Sequence, residues 1–397
     1  MREAVILFNL VDDDALPGIQ ATKVPDVSCV ACVPGSSEIK LKTMKLAIIG
    51  LPQVGKKTVF QILTGVSAEK APTRDGIVYA VAVVRDPRVD RLSEMFNPKK
   101  TRYAEFDIVL PPAIEPEQTR SANWLEAIRK AEGLLHVIRG FTSPGVFHIS
   151  GSVDPARDIE LVEMELLFAD LDLVEKRLQR MAKEHQKSNV AQERERQILE
   201  RAQSHLESEK PLRTMGLSED DLRAIRSLNF LTLKPLVAAL NIDENYAAAR
   251  EKYQDLATRM EVNGAAAVFL SAALEEEISE LAPEEQIPFL EEMGLDEPAA
   301  HRLSRAAFRS LGLLSFFTVG ADEVRAWPVE TGALAPEAAG RIHSDMEKGF
   351  IRAEVITYDE LIEAGSEKAA HEANLYRLKG KDYEVQDGDV LHIRFNV

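Results

Sequence analysis

Gly50-Leu51-Pro52-Gln53-Val54-Gly55-Lys56-Lys57-Thr58 is the most informative run in this chain. It follows Lys45-Leu46-Ala47-Ile48-Ile49, an apolar run that reads as a buried strand, and it leads into Val59-Phe60-Gln61-Ile62-Leu63, which reads as a helix. A strand, then G-x-x-x-x-G-K, then a helix is the context of a phosphate-binding P-loop. Gly50 and Gly55 let the backbone curl, so that the N–H groups from Gln53 and Val54 through Gly55, Lys56, Lys57 and Thr58 can face phosphate oxygens. The N-terminus of the following helix adds partial positive charge. Lys56 is placed to meet the β- and γ-phosphates. One position departs from the template. The residue after Lys56 should offer a Mg²⁺-binding hydroxyl, but it is Lys57, and the hydroxyl comes one residue later at Thr58. A protonated amine cannot ligate a cation. Either metal dependence is weakened, which is the favoured expectation, or Lys57 supplies positive charge in place of the ion.

Beyond the loop, Leu134-Leu135-His136-Val137-Ile138, Leu236-Val237-Ala238-Ala239-Leu240 and Ala266-Ala267-Val268-Phe269-Leu270 are short and almost wholly apolar. Strands covered on both faces read this way. With helical patterns between them, they predict an α/β fold with a doubly wound, mostly parallel sheet. From Asp158 to about Glu209 the alternation stops, and neither glycine nor proline occurs. Leu167, Leu171, Val174, Leu178 and Met181 form a seam along one helix face, and Glu193 to Arg201 suits a second helix packing back on it. Lys210-Pro211 would end the pair. After about Leu313, Ala353-Glu354-Val355-Ile356 and Val390 to Phe395 read as strands, with Gln386-Asp387-Gly388-Asp389 as a turn. This part predicts a compact α+β module.

The 397 residues carry a formal net charge of −17. That argues against whole-surface affinity for DNA or an anionic membrane, while leaving room for a local basic patch. No apolar run approaches the roughly 20 residues a bilayer span needs. Cys29 and Cys32 are the two cysteines. No further ligand pair at finger-like spacing accompanies them, so they read as incidental. Sparse cysteine fits a reducing compartment, and the cytoplasm is expected. Residues 1–43 look unlike the rest, carry no secretory pattern and predict an extension, with a natural start at Met44.

Several strings resemble the Obg-like ATPases of the YchF type. They are Ser152 to Glu160 (SVDPARDIE), Ala169-Asp170-Leu171 with Glu175-Lys176-Arg177-Leu178, Val324-Arg325-Ala326-Trp327, Ala335 to Gly340 (APEAAG), Glu347 to Ala353 (EKGFIRA) and Phe395-Asn396-Val397. The likeness runs from Met44 to Val397. It implies a G domain in two parts (44–157 and 211–312), a coiled-coil arm inserted at 158–210, and a β-grasp TGS domain at 313–397. It also implies association with the ribosome or ribosomal RNA and hydrolysis of nucleotide, ATP in preference to GTP; a monomer is expected. Guanine-specific relatives end a strand with N-K-x-D. Here Asn241-Ile242-Asp243-Glu244 looks like the family's N-x-x-E. Guanine would leave buried polar groups unpaired, each at about 1–3 kcal/mol.

By the same resemblance, Ile242 lies beside the base, Phe141 stacks on it, and Ser271-Ala272-Ala273 forms the second base-side loop. His148 matches a histidine used in place of the usual catalytic glutamine, and a neutral imidazole could orient or deprotonate water. Asp107 and Thr58 are the candidate metal ligands. The family's D-I-A-G switch is altered here to Asp107-Ile108-Val109-Leu110-Pro111-Pro112, and Thr73 is the nearest threonine to the other switch. These departures predict an ATPase of modest activity. The alternative is a nucleotide-binding scaffold or sensor without real turnover. A metabolic kinase fits less well, since the C-terminal module shows no acceptor-substrate chemistry.

Overall fold

The computed structural model describes residues 44–114, 123–183 and 190–396. The extension 1–43 with Cys29 and Cys32, residues 184–189 of the expected arm, and Val397 lie outside the described residues. Up to residue 312, strands and helices alternate. They are β1 (Lys45–Ile49), α1 (Lys56–Thr64), β2 (Thr73–Arg74), β3 (Ile77–Val84), α2 (Pro87–Phe96), β4 (Lys100–Arg102), β5 (Ala104–Leu110), α3 (Asn123–Lys130), β6 (Gly133–Arg139), α4 (Pro155–Lys183), α5 (Val190–Glu207), α6 (Glu219–Ile225), β7 (Leu236–Asn241), α7 (Tyr246–Val262), β8 (Ala265–Leu270), α8 (Ala272–Glu280), α9 (Pro283–Glu292) and α10 (Ala299–Ser310).

The first sheet has the order β2-β3-β5-β1-β6-β7-β8. Its five strands from β5 to β8 run parallel, and β3 joins β5 antiparallel. β6 and β7 are buried along their whole length, as their unbroken apolar runs require. The chain leaves β1 toward β3 and β5 on one side and returns to β6 on the other. In such sheets the crevice at the carboxyl ends of the strands, near that reversal, takes the ligand.

The arm begins at Pro155 rather than at Asp158. The Asp154 side chain accepts a hydrogen bond from Arg157 N, and its carbonyl accepts one from Asp158 N. Proline is well suited to the first helical position that follows such a cap. Leu167 and Val174 of the seam are buried against Ile198, Leu199, Ala202 and Leu206 of α5, with Leu171, Leu178 and Met181 at the margin. Arg177 and Glu195 pair across the two helices at 2.8 Å. Asp170, fully buried on α4, ties the arm to the sheet domain. It accepts from Arg129 (3.0 Å), Leu231 N (3.0 Å), Thr232 N (2.8 Å) and Thr232 Oγ1 (2.9 Å). Burial pushes its carboxyl above the ordinary range in spite of these donors.

The C-terminal module contains β9 (Leu313–Thr318), β10 (Glu323–Glu330), α11 (Ala335–Ile342), α12 (Ser344–Lys348), β11 (Phe350–Thr357), α13 (Tyr358–Ala364), α14 (Glu367–Glu372), β12 (Arg377–Lys379) and β13 (Asp389–Phe395). Its sheet runs β12-β11-β13-β9-β10-β4, with a parallel β9–β13 pair inside it. The helix α11 packs over this sheet through Ala335, Ala338 and Ala339, against Phe316, Val329 and Leu391. This is a β-grasp arrangement. The expected turn forms at Gln386, whose carbonyl accepts from Asp389 N at 3.2 Å.

One strand of that sheet comes from elsewhere in the chain. β4, which lies between β3 and β5 in sequence, pairs in parallel with β10. Lys99 pairs with Asp322 at 2.8 Å and Arg102 with Glu323 at 3.0 Å. Arg88 bridges Asp86 (2.8 Å) and Asp387 (2.9 Å), and its guanidinium lies 5.1 Å from the centre of the Phe317 ring.

Candidate nucleotide-binding site

The P-loop geometry follows from its glycines. Gly50 has φ 144° and Gly55 φ 96°. A Cβ at Gly50 would stand 2.5 Å from the Val137 carbonyl oxygen, and one at Gly55 would stand 2.4 Å from Asn241 Nδ2. Any other residue would force the loop off the sheet. Leu51 and Val54 anchor the loop in the core. The helix α1 starts at Lys56 with no side-chain cap and no acidic residue in its first turn. Its first N–H groups and its dipole are therefore left to an anion. Lys56 Nζ donates to the carbonyls of Gly50 (2.9 Å) and Leu51 (2.6 Å). Burial lowers its pKa to about 8.

Beside the loop lies a cleft of about 550 Å³. Gly55, Thr58, Phe141, Asn241, Ile242, Glu244, Ser271 and Ala272 all line it. They come from the carboxyl ends of β1, β6, β7 and β8, which the sheet order sets side by side. Asn241 joins the two halves of the cleft. Its Nδ2 donates to the Val54 carbonyl at 3.0 Å, and its Oδ1 accepts from Ala272 N at 2.9 Å. Ile242 is buried, and Glu244 is exposed. Asp243 also lines the cleft and accepts from Thr142 N at 2.9 Å, which ties it to the Phe141 loop. Ser271 caps α8 by accepting from Leu274 N.

Arg139 organises the Phe141 loop, and the sequence analysis did not single it out. Almost fully buried, it donates to the carbonyls of Phe141 (3.2 Å), Val146 (3.0 Å) and Phe147 (3.1 Å). Its guanidinium also lies 4.5 Å from the centre of the Phe141 ring. The signal was a lone arginine ending an otherwise apolar strand run. A roomier cleft of about 840 Å³ lies between α1, α2 and α10. It carries no glycine-rich loop, and its Arg305 is already paired with Glu297.

The structure places His148 and Asp107 outside the cleft lining. His148 is buried; Ser150 N donates to its Nδ1 at 3.1 Å, and its Nε2 lies 2.8 Å from Asp158 Oδ2. Because Nδ1 is an acceptor, Nε2 carries the proton and donates to Asp158. Both nitrogens are occupied, and His148 is outside the cleft lining. Asp107 pairs in register with Lys45, at the end of β1 away from the P-loop. At roughly 3.3 Å per residue, that is about 15 Å from Gly50. The segment beside the loop is Pro111 to Ile114, whose Ile114 N donates to the Gly50 carbonyl at 3.1 Å. Thr73 is exposed on β2, with its hydroxyl turned to the Ala71 carbonyl.

These positions bear directly on a metal. P-loop chemistry ordinarily uses Mg²⁺, held by the hydroxyl after the lysine and by an acid at the end of a neighbouring strand. Here Lys57 stands at the first position and Leu110-Pro111-Pro112 at the second. Thr58 faces the base-side cleft instead. Among the described residues, no group of three or more His, Cys, Asp or Glu side chains could hold a metal ion. Among the described residues, the donor set does not fit a resident Mg²⁺. Lys57 is exposed and pairs with Glu69 at 2.8 Å.

Comparison with known proteins agrees with this geometry. A family model, YchF-GTPase_C, described as a protein of unknown function (DUF933), matches residues 313–396. The "Ribosome-binding ATPase YchF" of Haemophilus ducreyi is 41% identical over 89% of this chain and 99% of its own. The protein of that name from Bacillus subtilis is 39% identical over 88% of this chain and 98% of its own. The solved structure of the Schizosaccharomyces pombe YchF GTPase superposes with a TM-score of 0.74, at 28% identity, covering 88% of this chain and 97% of that one. A glycine loop, an asparagine-bridged base cleft, an inserted helical arm and a β-grasp module thus occur together in a chain that belongs to the YchF family.

Proposed function

We propose that this chain binds a purine nucleoside triphosphate, ATP in preference to GTP, and hydrolyses its β–γ bond slowly while associated with the ribosome in the cytoplasm, as a monomer. The observation that carries nucleotide binding is the Asn241 bridge. It joins the phosphate loop at Val54 to the base-side loop at Ala272, so one side chain fixes both ends of a nucleotide-sized cleft. Preference for ATP rests on the base loop. The acid at the guanine-reading position is the exposed Glu244, and no lysine follows Asn241. Ribosome association is drawn from the relatives named Ribosome-binding ATPase, whose length this chain spans almost entirely.

What surrounds the phosphate loop supports slow turnover. His148 has both ring nitrogens engaged, and among the described residues Lys57 and Leu110-Pro111-Pro112 stand where the general scheme places its Mg²⁺ donors. The same observations favour a second reading, a nucleotide-responsive scaffold without turnover. Steady-state hydrolysis of ATP and GTP, with and without purified ribosomes and beside a Lys56→Ala control, separates them. Ribosome-stimulated ATP turnover lost in the control supports the ATPase. ATP binding with no turnover under either condition supports the scaffold, and faster GTP than ATP turnover rejects the base preference.

A further inference from the structure

We infer that this chain takes its nucleoside triphosphate without a divalent cation, and that Lys57, exchanged from Glu69 to the phosphates, supplies the charge a cation would bring. The inference rests on the nucleotide-binding reading above and deepens it.

Three observations converge. First, the two positions that hold Mg²⁺ in P-loop proteins are an ammonium and a Leu-Pro-Pro run, and the nearest acid on that strand, Asp107, is registered with the far end of β1. Second, Lys57 adjoins Lys56 at an α1 N-terminus that has no acid in its first turn. A triphosphate at the proposed site meets Lys56, the helix dipole and the loop N–H groups, and Lys57 stands at the same helix end, able to turn toward it on leaving Glu69. Third, Lys57 is neither buried nor locked. Its partner Glu69 lies in the segment following α1, also receives a hydrogen bond from Ser67 Oγ at 2.9 Å, and is itself exposed. An exposed ion pair is weak, and its lysine exchanges readily onto an anion of higher charge. In the general scheme a metal bridges the P-loop and the phosphates. Here an ion pair already links the P-loop helix to the segment after it, and one partner is released to the ligand. Glu69 is then a competitor of the nucleotide for Lys57.

The test is a calorimetric titration of the full chain with ATP, in Mg²⁺ and in excess EDTA, using wild type, Lys57→Ala, Glu69→Gln and Lys56→Ala. Lys57 and Glu69 are exposed, so their variants leave the core intact. Wild-type affinity is expected to change by less than about threefold on chelation, the size of a screened surface effect. Lys57→Ala should weaken binding in EDTA by about tenfold, the worth of one charge-assisted hydrogen bond. Glu69→Gln should tighten it severalfold. A wild-type loss above about tenfold on chelation overturns the inference, as does a Lys57→Ala variant that binds like wild type. A Glu69→Gln variant no tighter than wild type overturns the exchange. Absence of saturable binding by wild type, or binding indifferent to Lys56→Ala, rejects the nucleotide reading itself. That failure is distinct from binding that depends on Lys56 and also needs the cation.

Discussion

Lys56 couples its charge to the phosphate it is placed to meet. In water a lysine has a pKa near 10.4, but burial under the loop brings this one to about 8. Above pH 8 the free protein loses the ammonium, while a phosphate favours the charged form, so binding must take up a proton. ATP affinity should therefore be flat below about pH 7.5 and fall by up to about tenfold per pH unit above pH 8. Calorimetry in buffers of different ionisation heat should show proton uptake in that range, and a profile flat to pH 9.5 would refute the assignment. For folding the sign is the opposite. Between about pH 8 and 10.5 the unfolded chain binds the extra proton, so this group's contribution to stability rises with pH. At this scale, legibility in the sequence was uneven. Gly50, Gly55 and Asn241 could be read because their residue types are dictated by backbone curvature and by hydrogen-bond geometry at fixed spacing. The place of Asp107 was not legible because strand register cannot be counted along a chain. One residue of slip moves a side chain to the other face, and three carry it away from the loop. The partners of His148, Asp158 and Ser150 N, were not legible because they come together only on folding.

Among the elements, the α4–α5 arm was the most legible. Its four-and-three spacing is the physical signature of a buried seam, and Leu167 and Val174 are buried as that spacing requires. Its attachment was not legible. Asp170 faces away from α5 toward Arg129 and the backbone of Leu231 and Thr232, and in the sequence it is one acid among many on a charged helix. Asp170→Ala would leave a mostly buried guanidinium and two backbone N–H groups without their acceptor. It should cost about 3–5 kcal/mol of stability, most of it in the attachment of the arm. Hydrogen exchange should show α4 opening near Asp170 while the Val174–Leu199 seam stays protected. Equal protection along α4 in the variant and the parent would contradict this.

In the whole molecule, the two sheets meet through α2 and β4. Burial opposes the charge on Arg88, but hydrogen bonds to Asp86 and Asp387 outweigh it and raise its pKa above the usual value. Arg88→Ala leaves the buried Asp86 with the backbone N–H of residue 88 but without the guanidinium, and removes the link to Asp387. It should destabilise the protein by about 2 kcal/mol and raise exchange in β4 and β10 before the rest of either sheet. A variant with unchanged exchange there would show that the β4–β10 ladder and the shared apolar core hold the sheets together without Arg88. None of this could be read in advance. Lys100–Arg102 is three residues long and wholly polar, and its partner strand begins at Glu323. The shared strand also limits how the protein can be cut. By chain order it belongs to the nucleotide half, and by hydrogen bonding it belongs to the C-terminal module. A fragment beginning at Leu313 would carry a bare β10 edge, open to pairing with other copies. A fragment ending there would keep a three-residue strand with nothing to pair against. A single protease nick between α10 and β9 should leave both pieces migrating as one particle.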